Sequence, residues 1–80
     1  MGIQDAVKLR ILQLCDENNI SVCKLATIAG VPHTTIKSIM YNQSKNTGVV
    51  TIKKICDGLD ITIAEFFDTD VFNSLEQEIK

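Results

Sequence analysis

Five lysines and no carboxylate occupy the 39 residues from Asn18 to Cys56. Lys24, Lys37, Lys45, Lys53 and Lys54 give that window a formal charge of +5, although the whole chain sums to −2. The acids are pushed to the ends, with −1 over residues 1–17 and −6 over residues 57–80. An acidic protein can still meet a polyanion through a segment cleared of acids, because the local field governs the encounter. Joined to the helical patterning of the same window, this points to double-stranded DNA.

Other chemistries find little support. Cys15, Cys23 and Cys56 are an odd number without close pairing, and His33 is the only His. A zinc site wants ligands spaced like Cys-x2-Cys, which the gap from Cys15 to Cys23 does not offer. All three thiols sit among apolar helical positions, as small buried hydrophobes in a reducing compartment would. Nothing in the spacing pairs His33 with a thiol, and no acid pair or phosphate-cradling Gly loop stands out, so neither an enzyme nor a cofactor is expected. No apolar run reaches a membrane-spanning length, no signal-peptide core opens the chain, and Ala6 stands where myristoylation wants Ser or Thr. The expected location is cytoplasmic.

The elements that must position the lysines read as an all-α chain of five or six short helices forming one domain over residues 1–80. Helix 1 is expected from about Ile3 to Asn18, with Ile3, Val7, Ile11, Leu14 and Cys15 on one face. Ser21 suits the N-cap of helix 2, whose inner face is Leu25, Ala26 and Ala29 and which Gly30 stops. Helix 3 starts at Pro32 or His33, buries Val31, Ile36 and Ile39 at its base and ends at Asn42. Gln43 to Gly48 is a loop. Thr51 is expected to cap helix 4, with Ile52, Ile55, Cys56 and Leu59 inward. Thr62 and Glu65 have capping-box spacing, with Ile61 and Phe66 as the hydrophobic staple of helix 5. A last helix is expected from Asp70, with Val71, Phe72, Leu75 and Ile79 on one side. It is too short to stand alone in water and must pack on its own domain or on a second copy.

Two short helices joined at a Gly turn, with a small residue where they cross, form the physical core of a helix-turn-helix unit. Ala26, Gly30 and Ile36, with Leu25, Val31 and Ile39, fill those positions within residues 22–41. LATIAGVPHTTIKSIM and the later TIKKICDGLDITIAEFF resemble the phage repressor and Cro-type family, also called XRE-like, over about residues 7–67. That resemblance implies a compact five-helix DNA-binding domain, usually acting as a homodimer on a two-fold operator. The short C-terminal helix expected at 68–80 lies beyond it and is a candidate dimer contact. The family pattern departs at Cys15 and Met40, where some members bury an Arg–Glu pair.

By the same resemblance the recognition helix, about residues 32–41, enters the major groove. His33, Thr34, Lys37 and Ser38 are then the base-contacting residues. Phosphate contacts are implied for Ser21, Val22, Thr35, Asn42, Lys45 and Asn46, and for the start of helix 4 at Thr51, because helix N-termini attract anions. Lys53 and Lys54 extend the basic patch. The implied function is a sequence-specific transcriptional regulator, most simply a repressor, with no small-molecule ligand. The alternative is an antitoxin-type or other protein-interaction module on the same scaffold, whose acidic end meets a basic protein partner.

Overall fold

A computed structural model describes residues 2–41, 43 and 46–79. Its helices are α1 (Ile3–Glu17), α2 (Val22–Ala29), α3 (His33–Met40), α4 (Val49–Leu59), α5 (Ile63–Phe67) and α6 (Asp70–Asn73). Helix α2 packs on α1, α3 and α4, while α5 packs on α4 and α6 on α1. One apolar core joins Val7, Ile11, Leu14 and Cys15 of α1 to Leu25, Ala26, Val31, Ile36, Ile39, Ile52, Ile55, Cys56 and Phe66. The expected inner faces therefore hold, with two adjustments on α1. Ile3 at its frayed start is 39% exposed, and Ala6, one turn in, is fully buried in its stead.

The start of α2 follows from its cap. Ser21 Oγ accepts from the Lys24 amide at 3.0 Å, satisfying a donor that the first turn would leave open. Gly30 ends the helix at φ +68°, a left-handed conformation that strains any residue with a Cβ. The Val31 amide then bonds back to Ala26 O at 3.0 Å, which turns the chain directly into α3. At the other end of α1, Glu17 is the last helical residue and Asn19 takes a positive φ of 55°. The two-Asn exit thus begins one residue earlier than expected.

Two interactions join distant parts of the chain. Gln4 Nε2 donates to Thr47 Oγ1 at 2.7 Å, and the Thr47 amide donates to Gln4 Oε1 at 3.1 Å. This pair pins the α3–α4 loop to α1. Arg10 donates from Nε to Phe66 O and from Nη2 to Glu65 O, at 2.7 and 2.9 Å. A cation there supplies donors to the C-terminal carbonyls of α5, joining the Asp68 amide on Glu65 O. Gly58 lies where α4 crosses α2, and a Cβ at that position would stand 3.0 Å from Ala29 Cα.

Three expectations need correction. Helix α4 begins at Val49 with Gly48 as its N-cap, so Thr51 is the third helical residue and not the cap. The β-branched pair Val49-Val50 is a weak helix former, which made Thr51 look the better start. The Gln4–Thr47 clamp instead delivers the chain into the helix earlier. Helix α6 stops at Asn73, leaving Leu75 outside regular structure and Ile79 88% exposed. Short helices are marginal, and Glu76 and Glu78 would oppose the dipole at its C-terminal end. Third, Cys23 is exposed, whereas Cys15 and Cys56 are buried. The capping box of α5 is formed as expected. Phe66, Phe67 and Phe72 stack as one aromatic cluster, with centroids 4.8 to 6.1 Å apart.

Candidate nucleic-acid interface

Helix α3 is anchored by Ile36 and Ile39, each 1% exposed, with Val31 just before it. Those anchors leave His33, Thr34 and Lys37 exposed on its opposite side, along with half-buried Thr35 and Ser38. Ser38 Oγ donates to Thr34 O at 2.9 Å. Its proton is thereby committed, and its free lone pairs can accept from an exocyclic amine of adenine or cytosine. His33 is the first residue of α3, following the N-cap Pro32. Thr35 and Ile36 both close the first turn by donating their amides to Pro32 O.

The candidate phosphate contacts divide by location. Ser21 is exposed and Val22 half-buried at the start of α2. The first amide bonded into that helix is Leu25, to Ser21 O, and the Lys24 amide is taken by the cap. The Val22 and Cys23 amides precede them at the positive end of the helix dipole. Asn46 is exposed next to the clamped Thr47. Asn42 and Lys45 lie outside the described residues. At α4 the first amide bonded into the helix is Ile52, to Gly48 O. Thr51 therefore offers its amide from inside the first turn and no capping hydroxyl.

Electrostatics separate the lysines of the window. Lys53 sits 2.5 Å from Asp57 one turn along α4, and that carboxylate raises the Lys53 pKa through its hydrogen bond and its charge. Lys53 is thus a partnered side chain and not an extension of the basic patch. Lys24, Lys37 and Lys54 are exposed with no ion pair among the described residues. Cys15 is buried in the core and Met40 packs against the same core, so both positions are apolar.

A groove of about 370 Å³ opens beside this face. It is lined by Lys8 and Leu12 of α1, Val22 and Cys23 of α2, and His33, Ile36, Lys37, Met40 and Tyr41 of α3 and its exit. Cys23 and His33 thus share a groove that their sequence spacing did not suggest. No hydrogen bond among the described residues joins them.

The Cro/C1-type helix-turn-helix DNA-binding domain matches this chain over residues 10–70. The chain belongs to that family. Among solved structures, the prophage Lp1 protein 11 is similar, with a TM-score of 0.82 and 28% identity. The likeness covers 94% of this chain and 100% of that one. No curated protein matches. This Cro/C1-type chain is accordingly a DNA-binding regulator built on an all-helical fold. No helix among the described residues is long and apolar enough to cross a membrane.

The structure brings His33, Thr34, Lys37 and Ser38 onto one helix, with Ser21 and Val22 on its neighbour. Sequence reasoning passed over Arg10, Gln4 and Gly58, which hold the frame around them. Their partners lie 56, 43 and 29 residues away, and no local pattern marks them.

Proposed function

We propose that α3 lies in the major groove of double-stranded DNA, with His33, Thr34, Lys37 and Ser38 against the base edges. Ser21, Val22, Thr35, Asn42, Lys45, Asn46 and the first turn of α4 at Thr51 hold the phosphates on either side. The observation that carries this reading is the acid-free outer side of the α2–α3 pair. There the exposed His33, Thr34 and Lys37 stand next to the open N-terminal turn of α2. A phosphate at that turn gains from both free amides and dipole.

None of these side chains offers the bidentate fork of Arg, Asn or Gln, worth about 1–3 kcal/mol of discrimination per base. A single domain therefore reads DNA weakly, and the needed selectivity comes from two domains on a two-fold site. We propose a homodimer over residues 1–80 that acts as a repressor by occluding a promoter. Ile79, on the C-terminal segment and 88% exposed, offers apolar surface that a second copy can cover.

Selection from a random duplex library at near-physiological salt tests this. Enrichment of one palindrome is the expected result. A lone half-site would keep the DNA reader and reject the dimer. Retention of no motif would contradict sequence-specific regulation and move the scaffold's role to protein contacts.

A further inference from the structure

The groove between α1, α2 and α3 is built differently from the DNA face beside it. Its walls are Leu12, Val22, Ile36, Met40 and Tyr41, and no carboxylate lines it. Lys8 enters from α1 and Lys37 from α3. Leu12 and Tyr41 remain 40% and 71% exposed, so a guest that covers them removes apolar surface from water.

Size decides the class of guest. A protein interface buries roughly 800 Å² on each partner and some 20–30 residues a side, far beyond a groove lined by nine residues. A volume of about 370 Å³ falls instead at the lower end for small-ligand sites, which run from about 300 to 1,000 Å³. At about 30 Å³ per water-sized group it holds about a dozen non-hydrogen atoms. Charge decides the head group, because an apolar slot served by two lysines and no acid favours an anion over a cation.

We propose that this groove binds a small anionic amphiphile, a carboxylate with an apolar body of about ten carbons, and that its occupant competes with DNA. The competition rests on the reading that α3 meets DNA, since His33, Lys37 and Val22 belong to both surfaces. Coupling of this kind is reciprocal, so DNA weakens the amphiphile by the same factor as the amphiphile weakens DNA. Sequence alone points the other way, to no small-molecule ligand; the lining residues are scattered from position 8 to position 41 and form no local motif.

Cys23 lines the groove and is exposed, so its alkylation rate reports occupancy without DNA. Decanoate below its micellar concentration is the probe, and 1-decanol is the uncharged control. Saturable slowing of Cys23 alkylation by decanoate is expected, with a much smaller effect from 1-decanol. Leu12→Gln and Lys8→Gln, both outside the proposed DNA contacts, should each weaken the probe about tenfold while circular dichroism and DNA affinity stay unchanged. Absence of protection in a protein that still binds DNA overturns the site and leaves the function standing. Equal protection by 1-decanol overturns the anionic preference, and undiminished protection in Leu12→Gln places the probe elsewhere. Decanoate should also displace duplex from the wild type at concentrations that leave the Leu12→Gln complex intact. Protection without displacement would keep the ligand site and overturn the competition.

Discussion

Helix α3, eight residues long, and the twelve-residue segment from Asp68 to Ile79 differ in nearly everything that matters for function. Helix α3 keeps two full turns because Ile36 and Ile39 are locked into the core and Val31 fixes its entry. Its outer side is then free to carry His33, Thr34 and Lys37, with no acid nearby in the chain. The C-terminal segment rests on α1 and on the aromatic cluster through half-buried Phe72, forms one helical turn, and carries Asp68, Asp70, Glu76 and Glu78. Rigid support on one side of a short helix is what allows the other side to hold polar groups in a defined array. Without comparable burial the longer C-terminal segment is helical only from Asp70 to Asn73.

Charge reversal should break this comparison most visibly. Lys24→Glu with Lys37→Glu is expected to lower duplex affinity about a hundredfold and reduce the salt slope by about 2. Asp68→Lys with Asp70→Lys should change affinity less than about threefold, since salt screens an exposed charge beyond about 8 Å at physiological ionic strength. Fluorescence anisotropy over a salt series measures both. Equal responses would mean that the two regions do not differ in their approach to DNA.

The support under α3 can be tested at Gly58, which lets α4 approach α2. Alanine favours helix formation by about 1 kcal/mol over glycine, but its Cβ would press on the Ala29 backbone, and overpacking costs about 1–3 kcal/mol. We expect Gly58→Ala to lose about 1 kcal/mol net, a Tm fall of about 4–8 °C by calorimetry. A rise in Tm would show that the crossing has slack.

Gln4→Ala should act more mildly. It removes two hydrogen bonds from the loop after α3, each worth about 0.5–1.5 kcal/mol. Duplex affinity should drop a few-fold, with the library-selected sequence preference unchanged. A shifted preference would mean that the loop, and not α3, reads bases.

The smallest effect concerns the thiols shared by both regions' core. Burial raises the Cys15 pKa, and burial followed by the Asp57 charge raises that of Cys56. A thiol whose pKa is raised on folding adds stability below its unfolded value of about 8.5, and that contribution is lost as pH climbs through the folded value. Stability measured by urea denaturation should therefore decline on the alkaline side, and Cys15→Ala with Cys56→Ala should flatten that decline. At neutral pH, Cys23 should alkylate first.

Much of this architecture was legible because its signals are local. Ser21, Gly30 and the Thr62–Glu65 box each state a helix boundary within four residues, and the apolar steps around Leu25, Ile36 and Ile55 mark inner faces by period alone. What was missed lies in contacts between distant positions. Thr51 has the chemistry of a cap, yet Gln4, 43 residues before Thr47, sets where α4 begins. Cys23 follows an apolar pattern but faces the groove, because α2 is packed through Leu25 and Ala26. The tail has helical spacing through Ile79, yet the helix stops at Asn73 and leaves Ile79 exposed. For the interface, the basic window was visible at once, while the pairing of Lys53 with Asp57 needed the helix that joins them.

The central claim is that the α2–α3 edge, and not the acidic end, meets DNA. Titrating the ¹⁵N-labelled chain with its selected duplex and following every backbone amide tests it most directly. Large shifts are expected at Ser21 to Lys24, His33 to Ser38 and Asn46, with residues 57 to 79 little moved. Shifts concentrated beyond Asp57, with α3 silent, would contradict it.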